Sequence, residues 1–530
     1  MRFPSRSCAA MLLLAAISTL SAATDAERPA PLRLVAAAVL DAELELTFNR
    51  VLNPDERPPA IELHGGEQRR RVIEMTVTGR VAHALLDQPI YAGELVRAVR
   101  VGEGGADREL LVHNRSSLTV FAAVAVPDGG VVVAGGFDGA VRVGEQRLRS
   151  VGSSDIFVAR ANRDGRWSWA VRAGGPGFDE ASGLALGPDG RIYVCGTHAV
   201  DPAPALAGAT RDHDGAIFIG VLDPAGRWGW TQAVATDDQP GSNQARAVAV
   251  DGSGAVYVAG NFSGRLRAGA RTVAAAGAQD VFLAKLAADG RWLWVLSGGG
   301  PGSDSVYALA LDAQDRPLLT GEFLRGGRFG DGQRAGFSIE GPGWVPFAAR
   351  ASADGRWLWA AQPPDLVGAG QAIAAADDGV YIAGTAVEVG EPADAPPRAY
   401  LARWRGDGAF SWLRSLPRSG HSMALGLRID ASGAYLAGQF TPLPSDGSDS
   451  EPAGPQVFVA TADPRTGRWR QVLSGGNRLL LPTAFAFQRD DRRLIIGGPR
   501  EDQAFTSAGA PTIWLVEPEQ ARWIPLARLP

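Results

Sequence analysis

The sequence predicts an all-β fold, a seven-bladed β-propeller of four-stranded blades preceded by a small β-sandwich module. Two observations carry this prediction. From Leu118 to the C-terminus the chain aligns on itself seven times, and each copy contains four short alternating hydrophobic runs. The 530 residues include 67 Gly and 35 Pro, a content typical of many short strands joined by tight turns.

The clearest copy of the repeat runs from Ala245 to Gly300. Asp251–Gly254 separates its first two hydrophobic runs, and Ala288–Gly290 separates the last two. Both segments contain residues that tolerate positive φ, so each predicts a hairpin turn. Two hairpins joined by a longer loop form a four-stranded meander, which is the blade of a propeller. The four runs are Ala247–Val250, Val256–Gly260, Val281–Leu286 and Arg291–Ser297.

Whole blades fill the predicted ring. The seventh copy is the most degraded and ends at the C-terminus, and no strand is borrowed across the closure, which predicts a weaker seam between the first and last blades. The predicted blades are residues 118–177, 178–240, 241–302, 303–365, 366–418, 419–478 and 479–530.

Aromatic residues two positions apart on the last strand of each copy are the most regular feature. Alternation along a strand predicts that both rings of a pair lie on one face. We expect them to pack between blades, and the alternative is a platform for a sugar or a quinone. The tryptophans concerned are Trp167, Trp169, Trp228, Trp230, Trp292, Trp294, Trp357, Trp359, Trp412, Trp469 and Trp523.

The N-terminus has the pattern of a secretory signal peptide. Arg2 and Arg6 precede an apolar run, Ala9–Leu20, and the small residues Ser21–Ala23 follow it. This pattern predicts cleavage after Ala23, so that residues 1–23 are removed. The protein is then exported to the periplasm, the cell surface or the medium. No later run is long enough to predict a transmembrane helix.

Residues 24–114 differ from the repeat. They contain five or more short alternating strands and no helical periodicity. Leu44–Phe48 (LELTF) and Ala92–Val96 (AGELV) resemble the pattern of the SbsA/SwmB immunoglobulin-like modules of bacterial surface proteins. That resemblance implies a small β-sandwich that acts as a spacer or an adhesive unit.

The repeat itself resembles a known family. The run DVFLAKLAADGRWLWVLSGGGPGSDSVYALALD, residues 280–312, is similar to the bacterial seven-bladed propeller repeat called SBBP, and the resemblance extends from Leu118 to the end. Its specific elements are the D-G-x-x-x-W turn and the following G-G-P-G-x-D. The resemblance implies the propeller fold and an exported protein, and it implies no reaction.

Candidate binding residues lie where the copies differ. The loops between second and third strands and the blade connections share one face, which we expect to be the binding surface. Asp179 and Asp304 end two blade connections near the predicted channel, where they either bind a cation such as Ca²⁺ or stabilise a turn. His198, His213 and His421 lie in loops on this face. In the second copy His198 lies at one end of a long loop and Asp212, His213 and Asp214 at the other, where they either bind Zn²⁺ or a similar ion or are incidental.

Charge and motifs restrict the function. The net charge is −5 without a basic block, which argues against nucleic acid as a partner. No nucleophile elbow, zincin helix, phosphate loop or dinucleotide motif is present. We therefore predict a monomeric, non-catalytic scaffold without a cofactor, which binds a protein or glycan of the cell envelope. A polysaccharide-acting lyase or glycosidase at the channel mouth is the alternative, and a quinone-dependent dehydrogenase is a third possibility.

Overall fold

The structure is a computed structural model, and all its described elements are β-strands. The predicted signal peptide lies outside the described residues. These are 34–40, 42–48, 51, 60–65, 70–78, 80–90, 96–102, 105–106, 110–114, 116–198, 216–234, 243–324, 326–330, 337–341, 343–376, 379–392, 394–417, 420–442, 456–475, 484–487, 494–498, 512–517 and 522–528. Within these ranges the all-β prediction is confirmed.

The front segment forms two sheets. Its strands are β1 (Leu34–Leu40), β2 (Glu43–Phe48), β3 (Ala60–Gly65), β4 (Val72–Thr78), β5 (Val81–Leu86), β6 (Val96–Gly102), β7 (Gly105–Ala106), β8 (Leu110–Leu111) and β9 (His113–Asn114). One sheet has the order β4-β5-β2-β1-β9, and in the other β6 pairs with β3, β7 and β8. Strand β2 buries every second residue, and Leu44, Leu46 and Phe48 share one hydrophobic cluster with Ala98 of the second sheet.

The repeats form seven sheets, numbered here sheet 1 to sheet 7, and each contains four main strands that pair in chain order. Sheets 1 and 2 contain β10 (Ser117–Ala125), β11 (Val131–Asp138), β14 (Asp155–Ala161) and β15 (Trp167–Ala173), then β16 (Glu180–Leu186), β17 (Ile192–His198), β18 (Ala216–Leu222) and β19 (Trp228–Val234). Sheets 3 and 4 contain β20 (Gln244–Val250), β21 (Val256–Phe262), β24 (Asp280–Leu286) and β25 (Trp292–Gly299), then β26 (Ser305–Leu311), β27 (Pro317–Leu324), β30 (Trp344–Ala351) and β31 (Trp357–Ala361).

The remaining sheets continue the same order. Sheet 5 contains β32 (Leu366–Ala376), β33 (Gly379–Glu388), β34 (Arg398–Arg405) and β35 (Phe410–Ser415). Sheets 6 and 7 contain β36 (Gly420–Asp430), β37 (Gly433–Pro442), β38 (Gln456–Ala462) and β39 (Trp469–Gly475), then β40 (Ala484–Phe487), β41 (Leu494–Gly498), β42 (Thr512–Glu517) and β43 (Arg522–Arg528).

Three of the connections expected to be irregular contain short hairpins. These are β12 (Ala140–Val143) with β13 (Gln146–Arg149), β22 (Arg265–Ala268) with β23 (Arg271–Ala274), and β28 (Gly327–Phe329) with β29 (Phe337–Ile339). The reason is visible in β22, where Leu266 and Ala268 are buried and the intervening arginines are exposed. The third hairpin pairs with β25 and extends sheet 3 to six strands.

Hydrophobic clusters join consecutive sheets from sheet 1 to sheet 6. Along the inner side, each first strand contacts the first strand of the next sheet, from β10 through β16, β20, β26 and β32 to β36. Strand β40 contacts both β36 and β10. The first strands of consecutive sheets therefore lie next to one another. The described part of the chain contains no helix of the length and hydropathy that crossing a bilayer requires.

Tryptophans of these pairs form hydrogen bonds between neighbouring sheets. At the first position of the pair the indole N–H donates to the last strand of the preceding sheet: Trp228 to Arg172 O, Trp357 to Ser297 O and Trp469 to Ser415 O, over 3.0–3.2 Å. At the second position it donates to a turn of the following sheet: Trp169 to Pro224 O, Trp230 to Ala288 O, Trp294 to Ala353 O, Trp359 to Gly406 O and Trp412 to Arg465 O, over 2.7–3.2 Å.

The expectation that both rings of a pair share a face is therefore wrong. A break in strand register separates the two positions, as between Trp292 and Trp294, where Leu293 is the extra residue. Such a bulge interrupts the strict alternation of side chains. Trp292 packs on the cluster between sheets 2 and 3, and Trp294 belongs to the cluster between sheets 3 and 4. Trp167 packs against the core of sheet 1, and of Trp523 only the backbone is described.

The glycine of the D-G-x-x-x-W turn serves the same contact. Gly290 has φ +87°, and a Cβ at this position would lie 2.8 Å from the ring of Trp230 in the preceding sheet. Glycine tolerates this backbone conformation and leaves room for the indole. The turn and the tryptophan of the repeat are thus two halves of one inter-sheet contact.

Candidate functional site

One residue of each first strand is displaced from the ladder with the second strand. In sheets 1 to 6 the pairing of these two strands has a single register break, which leaves one extra residue on the first strand. Bulges re-aim a side chain and are frequent next to functional sites. The extra residues are Phe121, Ser182, Arg246, Tyr307, Gln371 and Leu425.

All six of these residues line one cavity of about 490 Å³, which we name the central cavity. The residue that follows each of them is Ala or Gly, and these small residues leave room for the bulged side chains. Sheets 2 to 5 supply the polar members and sheets 6 and 1 the apolar ones, which makes the cavity polar on one side. The alignment of the repeats places Thr483 at the equivalent position of sheet 7, outside the described residues.

Arg246 is the cation of the central cavity. It is half-buried, and its Nε atom is buried without a hydrogen-bond partner in the described part of the chain. The guanidinium carbon lies 6.0 Å from the centre of the Tyr307 ring. The carboxyl of Glu180 is near enough for Arg246 to lower its pKa, although burial has the larger, opposite effect and the pKa of Glu180 is raised. No ion pair within 4 Å joins the described atoms of these two groups.

Tyr307 is held by a second carboxylate. Its hydroxyl donates to Glu322 Oε1 over 2.7 Å. Burial, followed by the charge of Glu322, raises the pKa of the Tyr307 hydroxyl, and burial raises the pKa of Glu322. The tyrosine is therefore a protonated hydrogen-bond donor at neutral pH. On the other side of Arg246, the amide of Gln244 donates to Ser182 Oγ over 2.9 Å.

The structure brings together two of the predicted site residues, Asp179 and His198. Both are fully buried, and His198 Nδ1 is hydrogen-bonded to Asp179 Oδ1. The second carboxylate oxygen of Asp179 accepts from the backbone N–H of Gly175 over 2.7 Å. Asp155 lies beside them and is paired with Arg172, and burial raises the pKa of Asp155. The pair lies at the contact between sheets 1 and 2, and neither residue lines the central cavity.

Asp304 occupies the equivalent position between sheets 3 and 4. It is fully buried and accepts backbone N–H groups from Gly300 over 2.6 Å and Leu324 over 3.0 Å. Burial raises the pKa of Asp304 to about 6, and the two backbone hydrogen bonds oppose this effect. The geometry is that of a carboxylate that organises the G-G-P-G connection.

The other predicted residues do not join this group. His421 is exposed in β36, in sheet 6. Asp212, His213 and Asp214 lie outside the described residues. Cys195 is buried, and burial raises the pKa of its thiol. Across the described ranges, no group of three or more His, Cys, Asp or Glu is arranged to hold a metal ion.

Sequence reasoning missed the residues of the central cavity. A signal was present in the first strands of the first six copies, where Phe, Ser, Arg, Tyr, Gln and Leu each stand between a preceding Val, Ala or Gly and a following Ala or Gly. An unpaired residue in a bulge cannot be recognised from period-two alternation, because the bulge itself breaks the period.

Comparisons with known proteins find similarity to solved structures only. No protein-family model matches the chain, so none supports the resemblances to the SBBP repeat and the SbsA/SwmB module, and no curated protein matches either. Similar solved structures include β-propeller proteins. The β-propeller domain of the Trilobed protease from Pyrococcus furiosus is 8% identical, covers 77% of this chain and 97% of its own, and has a TM-score of 0.40.

Two further solved structures have comparable similarity. The polysaccharide lyase Uly1 is 11% identical over 77% of this chain and 90% of its own, with a TM-score of 0.43. A protein from Lactobacillus plantarum is 13% identical over 72% of this chain and 96% of its own, with a TM-score of 0.40. The activity of the lyase belongs to that protein.

Proposed function

We propose that this chain is an exported, non-catalytic ligand-binding propeller whose site is the central cavity. The observation that carries the proposal is the set of six bulged residues that line one cavity, among them Arg246, whose Nε atom is buried without a hydrogen-bond partner in the described part of the chain. Among the described residues, the polar side chains that lie close together are those of the first strands around the central cavity. The proposed site is therefore this cavity and not the loop face expected from the sequence.

The architecture belongs to this proposal. We infer a closed ring of seven blades, and the contacts of β40 with β36 and β10 support it. We further infer that the two front sheets are an immunoglobulin-like sandwich, because they share one hydrophobic cluster. Export rests on the N-terminal pattern of basic residues, apolar run and small residues.

The size of the cavity favours a glycan over a protein as the partner. A volume of about 490 Å³ lies within the range of small-molecule sites, roughly 300–1,000 Å³. It admits one or a few sugar units and excludes a folded protein. Hydroxyl and amide groups on one side, with apolar side chains on the other, suit the mixed surface of a saccharide.

The chemistry of the cavity favours binding over catalysis. Tyr307 is the obvious candidate base, but burial and Glu322 raise its pKa, so the phenolate is disfavoured at neutral pH. No histidine is among the described residues that line the cavity. The groups present are donors and acceptors held in place, which is what recognition requires.

A polysaccharide-acting glycosidase or lyase is the second candidate. It is favoured by two carboxyl groups, Glu180, which lines the cavity, and Glu322, which is hydrogen-bonded to Tyr307, since burial raises the pKa of both as it does for general acids. Turnover of a polysaccharide, abolished by both Glu180→Gln and Glu322→Gln, would replace the binding proposal with this one.

A glycan array with two variants tests the proposal. Ser182→Trp places an indole in the central cavity, and Thr272→Trp places one on the exposed strand β23 as a matched control. We expect wild type and Thr272→Trp to bind the same glycans, and Ser182→Trp to bind none. Thermal unfolding checks that Ser182→Trp folds, and Gln371→Ala serves as a milder second variant. Absence of any glycan binding, or binding that survives in Ser182→Trp, would contradict the proposal.

A further inference from the structure

We infer that the ligand of the central cavity is a saccharide that carries a carboxylate, of the uronic acid class. The inference rests on the proposed function and specifies its ligand. Its starting point is Arg246, because this side chain is half-buried in the cavity and its Nε atom is buried without a hydrogen-bond partner among the described residues.

A buried N–H of a guanidinium that has no acceptor destabilises the folded state. Buried charges in proteins are usually paired, and a buried donor without an acceptor loses its hydrogen bonds to water without gaining one in the protein. Two other partly buried cations of the described chain each contact a carboxylate: Lys285 contacts Asp251 over 3.1 Å, and Arg350, whose Nε also has no hydrogen-bond partner, contacts Asp312 over 3.2 Å. Arg246 has no such ion pair with a described carboxylate, and it lies where the described first strands line the central cavity.

The shape of the group indicates what completes it. The guanidinium has five N–H donors in a planar fork that matches a carboxylate with two parallel hydrogen bonds. The guanidinium carbon lies over the ring of Tyr307, 6.0 Å from its centre, which is the outer limit of a cation–π contact. A ligand carboxylate would therefore pair with the guanidinium beside this ring.

The remaining groups match the rest of a sugar acid. Ser182 and Gln371 offer a hydroxyl and an amide from the sheets on either side of Arg246 and Tyr307, and Glu180 offers an acceptor for a ligand hydroxyl. Phe121 and Leu425 supply the apolar side, against which the C–H face of a pyranose ring packs. Carboxylate, hydroxyls and an apolar face occur together in a uronic acid.

The two acidic residues do not make the cavity a cation site. Glu322 already accepts the hydroxyl of Tyr307. Burial raises the pKa of both Glu180 and Glu322, which disfavours their charged forms. Arginine has no neutral form at physiological pH, so the positive charge of the cavity persists.

The test compares uronate oligosaccharides with their carboxyl-reduced forms, which differ only in having a primary alcohol in place of each carboxylate. Binding is measured by calorimetry for wild type, Arg246→Gln and Arg246→Lys, with Arg267→Gln on the exposed face of β22 as the matched control. We expect at least one uronate series to bind wild type and the control equally. Carboxyl reduction and Arg246→Gln should each weaken it by about 30-fold or more, and Arg246→Lys by less.

The outcomes separate this inference from the proposed function. Saccharides that bind in the cavity, as shown by their loss in Ser182→Trp, but are neutral or amino sugars would overturn the inference and leave the binding proposal intact. So would uronate binding that is indifferent to Arg246→Gln. If no saccharide of any class binds, the proposed function falls first. A folding defect in Arg246→Gln is recognised by its melting temperature, and Arg246→Lys then decides.

Discussion

The contact between neighbouring sheets predicts a specific loss of stability for Trp294→Phe. Trp294 is 7% exposed, its indole N–H donates to Ala353 O over 3.1 Å, and its ring meets Tyr257 edge to face at 5.9 Å. Phenylalanine keeps a ring against Tyr257 but has no N–H group. The substitution therefore removes one inter-sheet hydrogen bond and the buried five-membered part of the indole.

The magnitude follows from those two losses. The hydrogen bond contributes about 1 kcal/mol. The lost ring atoms correspond to about two methylene groups, at roughly 0.8 kcal/mol each. We therefore expect Trp294→Phe to lower the free energy of unfolding by about 2–3 kcal/mol, before any relaxation of the neighbouring turn.

Urea unfolding followed by circular dichroism measures this loss without relying on tryptophan emission. Leu293→Ala is the matched control, because Leu293 is the adjacent bulged residue and is 38% exposed. We expect the control to lose less than about 1 kcal/mol. If Trp294→Phe lowers the free energy of unfolding no more than Leu293→Ala does, the contact of Trp294 with sheet 4 does not stabilise the fold and the reasoning is refuted.

Three further predictions concern other parts of the repeat. Gly290→Ala should lower the free energy of unfolding by about 1–3 kcal/mol, because Gly290 has φ +87° and a Cβ there would meet the ring of Trp230. Gly252→Ala is the control and should lower it by less than about 1 kcal/mol, because no atom lies nearer than 3.9 Å to a Cβ at that position. Equal losses in urea unfolding would contradict the turn contact. Burial raises the pKa of Asp304 to about 6, above its unfolded value near 3.9. The contribution of Asp304 to stability is therefore present below about pH 4 and lost as pH rises through 6. The free energy of unfolding of Asp304→Asn, measured from pH 4 to 7, should lack that loss. Parallel pH profiles of wild type and Asp304→Asn would contradict this prediction. Without ligand, Arg246→Met should raise the free energy of unfolding by about 0.5–1 kcal/mol, since it removes an Nε atom that is buried without a hydrogen-bond partner in the described part of the chain. A loss of stability would mean that the arginine has a structural partner.

Local periodicity was sufficient to predict the four main strands of a repeat, but not the short hairpins in three of the connections. Alternation in runs such as Val256–Gly260, bounded by turns with glycine at positive φ, corresponds to β21 and its neighbours in the structure. The sides on which Trp292 and Trp294 pack could not be predicted in this way. Their spacing indicates one face, but the bulge at Leu293 directs them to different neighbours, and a bulge has no mark in the hydrophobic pattern.

The candidate site was the least predictable part for the same reason. Residue type and loop position directed attention to Asp179, Asp304 and His198, which the structure buries in contacts between sheets. Arg246 and Tyr307 lie in strands whose other residues are small and apolar, so each by itself reads as an incidental polar residue. Only the arrangement of six first strands around one cavity shows that they converge.

A crystal structure of the protein with the saccharide that binds most tightly on the array tests the central claim most directly. The account predicts that the saccharide occupies the central cavity, with its carboxylate paired to Arg246 and a hydroxyl within hydrogen-bond distance of Tyr307 or Ser182. A saccharide seated on the loop face, with the cavity holding only water, would contradict it.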